Sequence, residues 1–126
     1  MLYSIERNQF VEDIPYKNDY RRWRERLTDD EFAAIETELV NRIDRAEIHT
    51  ASWIPGNNWK GTPYEPIYTK ACAGDPSESG KCFGLFLWTV LQQHADTWGF
   101  GRYEKNGVPL RGLTYFRLDA PSMTKR

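Results

Sequence analysis

Between Cys82 and Leu91 the chain is apolar at Cys82, Phe83, Leu85, Phe86, Leu87, Val90 and Leu91. That is too many apolar positions for a helix with one face in water, so at least two neighbouring elements must cover it. The run is only about half a bilayer span, which favours a buried core helix over a transmembrane one. Its start is marked by Asp75-Pro76-Ser77-Glu78. Asp75 offers an acceptor at the N-cap, and Pro76 stands at the first helical position, where its missing N–H costs nothing. Glu78 falls three residues after the cap, as in a capping box. Gly99 and Gly101 suit a helix end, so Asp75 to Trp98 is expected to be one helix around which the chain is organised. A narrow stripe remains: Lys81, Gly84, Trp88, Gln92 and Asp96. Gly80 and Gly84 lie one turn apart and each costs about 1 kcal/mol against alanine in a helix. A crossing helix or strand is expected to pack closely there.

A chain of 126 residues is one domain with room for one core. Charged residues make up 28% and the net charge is −1, which argues against a strong nonspecific polyanion binder. Aromatics reach 14%, with five tryptophans, which serve cores and binding surfaces alike. Two cysteines, Cys72 and Cys82, do not make a disulfide framework. The Met1 to Glu6 start has no signal-peptide pattern, so a cytoplasmic location and no membrane association are expected.

Residues 1–14 alternate loosely and read as a short strand or an arm. Asn18 to Arg26 reads as a helix with a Tyr16, Tyr20, Trp23, Leu27 stripe. Residues 15–27 carry five basic and two acidic side chains, and 28–47 carry two basic and seven acidic. The arginines are therefore expected to pair with the next helix rather than bind phosphate. That helix opens on Thr28-Asp29-Asp30-Glu31, a capping box, with Leu27 and Phe32 as a hydrophobic staple. Its buried stripe is Phe32, Ile35, Leu39, Ile43 and Ala46.

Residues 47–54 fit a strand or a helical continuation. Pro55-Gly56-Asn57-Asn58 is a turn. Thr62-Pro63, with Glu65, repeats the cap-then-proline pattern and predicts a helix over Pro63 to Ala73, facing inward with Ile67, Tyr68, Ala71 and Cys72. At the C-terminal end, Phe100 to Lys105 and Leu113 to Leu118 read as a hairpin around Asn106-Gly107. Pro109 makes its turn long and irregular. Residues 120–126 read as a frayed tail.

No catalytic motif occurs: neither a phosphate-binding glycine loop, nor a nucleophile elbow, nor HExxH or CxxC. His49, Cys72, Cys82 and His94 match no metal-ligand spacing, and no metal or cofactor is implied. Cys82 reads as an inert core thiol, and Asp75 and Glu78 as caps rather than an acid–base pair. Trp53, Trp59, Tyr64 and Tyr68 crowd a loop-like segment. They either pin it to the core or line a ligand pocket.

After Thr28 the elements run helix, extended piece, short helix, turn, long helix, hairpin. This α+β order, helices around one central helix with a C-terminal antiparallel hairpin, resembles a winged-helix domain. The resemblance lies in element order and not in a motif. It implies a third helix and a wing that contact nucleic acid, through Lys81 and Trp88 on the helix and Arg102, Lys105 and Arg111 on the hairpin. Many winged helices bind proteins instead. The expected function is a non-enzymatic module for nucleic acid or a protein partner. The alternative is a small-ligand-binding domain or enzyme using Trp53, Trp59, Tyr64 and Tyr68. A second copy of the chain is one way to cover the apolar surplus on the central helix.

Overall fold

The computed structural model describes residues 1–46, 48–50, 59–102, 104–105, 108–109 and 113–118. The fold is α+β. In chain order it runs β1 (Leu2–Ser4), β2 (Gln9–Val11), α1 (Lys17–Glu25), α2 (Asp29–Ile43), β3 (Ile48–Thr50), a π-helical turn (Ile67–Ala71) and α3 (Pro76–Gln93). It then continues with β4 (Trp98–Gly101), β5 (Glu104–Lys105), β6 (Val108–Pro109) and β7 (Thr114–Arg117).

A C-terminal antiparallel pair is present, but its first strand is β4, Trp98–Gly101, and not Phe100 to Lys105; β4 pairs with β7. It is the centre of a larger sheet, ordered β2-β1-β4-β7-β3. The loosely alternating N-terminus supplies two of the strands. β1 and β2 form a hairpin, and β1 runs parallel to β4 with Leu2 beside Trp98. The ambiguous segment before Pro55 supplies β3, antiparallel to β7. The remainder of that segment, 51–54, and the Pro55-Gly56-Asn57-Asn58 turn lie outside the described residues, as do Asn106-Gly107 and the 120–126 tail. β5 and β6 make a separate two-stranded ribbon that extends the β4–β7 connection.

α2 carries its capping box as written. Glu31 N–H donates to Thr28 Oγ1 at 3.1 Å, and Thr28 N–H donates to Glu31 Oε1 at 2.9 Å. α3 starts where the sequence places it: the backbone N–H groups of Ser77 and Glu78 donate to Asp75 Oδ1 at 2.9 and 3.1 Å. Glu78 does not complete a box, because the Asp75 N–H donates to Cys72 O at 3.0 Å instead.

α3 is one unbroken helix, but it stops at Gln93, short of Trp98. His94 takes an extended backbone there, and the Met1 ammonium donates to the carbonyls of Leu91, His94 and Asp96 at 3.0, 2.7 and 3.1 Å. Those bonds satisfy carbonyls that a helix end leaves without partners. Gly99 and Gly101 are therefore strand residues of β4, not helix terminators.

The segment before α3 is also shorter than expected. A helix over Pro63 to Ala73 is replaced by a turn and the single π-helical turn, in which Cys72 N–H donates to Ile67 O at 3.0 Å. Pro66 supplies no donor, which removes a rung of the predicted helix. Ile67, Ala71 and Cys72 face inward as expected, whereas Tyr68 is 36% exposed.

Leu2, Ile35, Leu39, Ile43, Ile67, Leu87, Leu91 and Trp98 are among the fully buried side chains that join α2, α3 and the sheet. α3 is buried at ten positions, including Phe83, Phe86, Leu87 and Leu91. The rings of Tyr20 and Phe32 stand edge-on to Phe86 at 5.7 and 5.2 Å, fixing α1 and α2 on α3. The α1 arginines serve the fold: Arg24 pairs with Asp29 at 2.8 Å and lies 4.1 Å over the Phe32 ring. Arg22 pairs with Asp19, and Arg26 Nη1 donates to Ala71 O at 2.6 Å. Tyr16 drops out of its predicted stripe. It caps α1 with a left-handed backbone, φ 52°, and is 77% exposed. No described helix is long and apolar enough to cross a membrane.

Candidate functional site

Of the residues expected to form a helix-and-hairpin contact surface, Trp88 is turned into the core. Trp88 is 5% exposed; its ring packs 4.8 Å from Phe100 and its Nε1 donates to Asp13 O at 3.0 Å. With its polar edge and its ring both engaged, Trp88 clamps the 11–13 segment to α3 and presents nothing to a partner. Gln92 does the same work, donating to Val11 O and Asp13 O at 3.3 and 2.9 Å. Lys81 and Arg102 are exposed. Lys105 lies on the β5 backbone, and Arg111 lies outside the described residues. Among the described residues no close neighbour lies over Gly80 or Gly84. A Cβ at either position would meet no heavy atom within 4 Å.

Two of the four aromatics of this segment are pinned to the core. Tyr64 is 1% exposed and stands edge-on to Phe83 at 5.2 Å. Trp59, half-buried, meets the same ring at 5.8 Å. Two of the four candidate ligand rings thus share one core phenylalanine. Tyr68 faces outward, and Trp53 lies outside the described residues. Thr62 Oγ1 donates to Trp59 O at 2.7 Å and accepts from Tyr64 N–H at 3.2 Å, which sets the turn between the two rings.

The sheet holds a feature that the sequence reading passed over. Successive side chains of a strand point to opposite faces. Leu2, His49, Trp98, Phe100 and Tyr115 point to the helix side and are buried. Across the opposite face the strand registers align Phe10 with Tyr3, Tyr3 with Gly99, Gly99 with Phe116, and Phe116 with Ile48. This row runs through all five strands. Phe10 is 48% and Ile48 58% exposed, and Ile5, which continues the alternation of β1, is 43% exposed. Tyr3 and Phe10 stand edge-on at 5.1 Å, and the Tyr3 hydroxyl bonds to Asn8 Oδ1. The row itself, Phe10, Tyr3, Gly99, Phe116 and Ile48, carries no charged side chain. The signal was present in the alternation Trp98-Gly99-Phe100-Gly101. Large residues on one side and glycines on the other describe a strand with a stripped outer face.

Two clusters of titratable groups sit elsewhere. His94 Nε2 donates to Asp44 Oδ1 at 3.0 Å while its Nδ1 accepts from the Asp96 N–H at 3.0 Å, so neither ring nitrogen is left for a substrate. Arg117 bridges Asp44 and Asp96 and lies 4.5 Å over the Trp98 ring. His49 Nε2 bonds to Ile43 O at 3.0 Å. Both histidines thereby lock the ends of α2 and α3 onto β3, β4 and β7. Cys72 and Cys82 are free, buried and beside one another at the start of α3. Burial pushes both thiols up, away from the thiolate that acts as nucleophile or ligand. Among the described residues no group of three or more His, Cys, Asp or Glu side chains is placed to hold a metal.

The chain matches no family model, no curated protein and no solved structure.

Proposed function

We propose that this chain is a non-enzymatic binding module that offers the outer face of its sheet, with the β4–β7 hairpin, to an apolar protein surface. The observation that carries this is the exposure of Phe10, Ile5 and Ile48 on that face, at 48%, 43% and 58%. Soluble domains rarely leave a contiguous apolar patch bare unless something binds it. The succession of helix, extended piece, turn, long helix and hairpin after Thr28 still resembles a winged-helix order. With α3 packed beneath the sheet, the hairpin side and not the helix side becomes the contact surface.

A nucleic-acid reading rests on Lys81 and Arg102, which are exposed and carry no ion pair among the described residues. A net charge of −1 counts against it. The discriminating experiment pairs an apolar dye with duplex DNA. The reading expects dye fluorescence that falls in Phe10→Asp and in Ile48→Asp, with unchanged circular dichroism. It also expects no DNA response at low or moderate salt. A salt-steep DNA response lost in Lys81→Glu or Arg102→Glu would replace it with the nucleic-acid reading.

A further inference from the structure

We infer that Cys72 and Cys82 are a redox-sensitive pair, which a hydroperoxide closes into a reversible disulfide that latches the π-helical turn to α3.

The two thiols come from consecutive elements that the backbone folds onto one another. Cys72 ends the π-helical turn, its N–H donating to Ile67 O at 3.0 Å. Ala73 and Gly74 then take left-handed backbones, φ 50° and 81°, and the chain reverses into the Asp75 cap of α3. Cys82 stands in the second turn of that helix. The reversal returns it to Cys72, and the Cys82 S–H donates to the Cys72 sulfur. Sulfurs in such contact need to close by only about 2 Å to reach the disulfide bond length.

The pair is asymmetric. Cys82 is fully buried, whereas Cys72 is 5% exposed. Cys72 accepts the thiol hydrogen bond and lies near the Arg26 guanidinium, and both favour its thiolate; the Glu78 carboxylate opposes both thiolates. Cys72 is therefore the sulfur oxidised first, and Cys82 resolves it. Burial keeps the thiolate scarce, so the reaction takes on the order of minutes to hours. Hydrogen peroxide needs little more room than water, which suits so small an opening.

The Cys72 thiolate attacks one peroxide oxygen; the O–O bond breaks, and the hydroxide released takes up the Cys72 proton as water. Cys72 is then a sulfenic acid. The Cys82 sulfur attacks the Cys72 sulfur, the S–S bond forms, and the S–O bond breaks. The departing hydroxide leaves with the Cys82 proton as a second water. Two thiols are oxidised to one disulfide, and the peroxide is reduced to two waters.

The bond would act on an element already tied on two sides. Arg26 Nη1 holds Ala71 O to α1 at 2.6 Å, and Lys70 pairs with Glu31 of α2 at 2.8 Å. The disulfide makes the tie to α3 covalent.

The test exposes the reduced, folded full chain to hydrogen peroxide, alkylates the remaining thiols, and only then denatures and digests with trypsin. Cleavage after Lys70, Lys81 and Arg102 puts the two cysteines on separate peptides, 71–81 and 82–102. The native chain should lose both free thiols and two hydrogens in mass, stay a single chain, and give these peptides joined. It should melt about 5–10 °C higher than the reduced form, and dithiothreitol should reverse every change. Cys72→Ser and Cys82→Ala, checked for folding by circular dichroism, should give neither the joined peptides nor the shift. Two thiols that remain open to alkylation overturn the inference, as does a link between two chains or a sulfinic Cys72 beside a free Cys82. Joined peptides with an unchanged or lower melting temperature overturn the latch. Should a variant fail to fold, the native chain's peptide map and melt decide alone.

Discussion

The Phe116 ring lies across Gly99 so closely that a Cβ on Gly99 would come within 2.8 Å of its Cε2. The pair is in register between β4 and β7, at the middle of the sheet's outer face. Gly99→Ala must push the ring aside and with it the Leu118 side chain, whose Cδ1 would stand 3.3 Å from the new methyl. Overpacking of this kind costs about 1–3 kcal/mol. Urea unfolding should report a lower midpoint at unchanged slope for Gly99→Ala, and a part of the loss should return in Gly99→Ala with Phe116→Leu.

The two glycines of α3 predict the opposite sign. Gly80 and Gly84 are helical and have open space where a Cβ would go. Alanine there gains helix propensity and narrows the unfolded ensemble. Gly80→Ala and Gly84→Ala should each raise stability by about 1 kcal/mol, read as a higher urea midpoint. Loss of stability in either would mean that a segment outside the described residues approaches α3 at that point.

Tyr64 carries a buried hydroxyl without a hydrogen-bond partner among the described residues. Burial raises its phenol from 10.0 to about 12. The folded state thus favours the neutral phenol, and the unfolded chain ionises first as the pH rises. The resulting stability is complete below pH 10 and lost between about 10 and 12. Tyr64→Phe should flatten that alkaline decline, leaving the share of Tyr115, whose phenol burial also raises. At neutral pH the variant should be as stable as the native chain or about 1 kcal/mol better, because a buried group without a partner is removed.

Acid acts through Glu31. Its carboxylate receives both contacts of the Lys70 ammonium, at 2.8 and 2.9 Å, and the Thr28 N–H. The Lys70 bond first, then the cap, hold its pKa below the usual 4.5. This contribution is complete above that ordinary value and disappears as the pH falls through the lowered one. Glu31→Gln keeps an acceptor for the cap and loses the ion pair. Its melting temperature should fall below that of the native chain at pH 7, and the difference should close on acidification.

What the sequence made legible was local. The Thr28 box, the Asp75 cap with Pro76, and the apolar run of α3 each depend on residues within a turn of one another, and each is where its pattern placed it. The hairpin of β4 and β7 was readable from Tyr115, Phe116 and the turn residues. Long-range pairing was not. Nothing near Leu2 indicates that it lies beside Trp98, and the glycines of β4 take their meaning only from Phe116 across the ladder. Trp88 and Tyr64 showed the same limit. An aromatic on a polar stripe or in a proline-rich segment looks free until the carbonyl of Asp13 or the ring of Phe83 is beside it. The outer sheet face was missed for the same reason, since its row is assembled from four separate stretches of chain.

The parallel pairing of β1 with β4 has a temporal consequence. β1 must wait, lacking its neighbour, until the chain through Gly101 has left the ribosome. The helices can gather early on local contacts, while closure of the sheet comes last. A nascent chain arrested before Trp98 should therefore hold helices but no protected β1. Translation pauses in that interval are where misassembly, or chaperone capture of the waiting N-terminal hairpin, would concentrate.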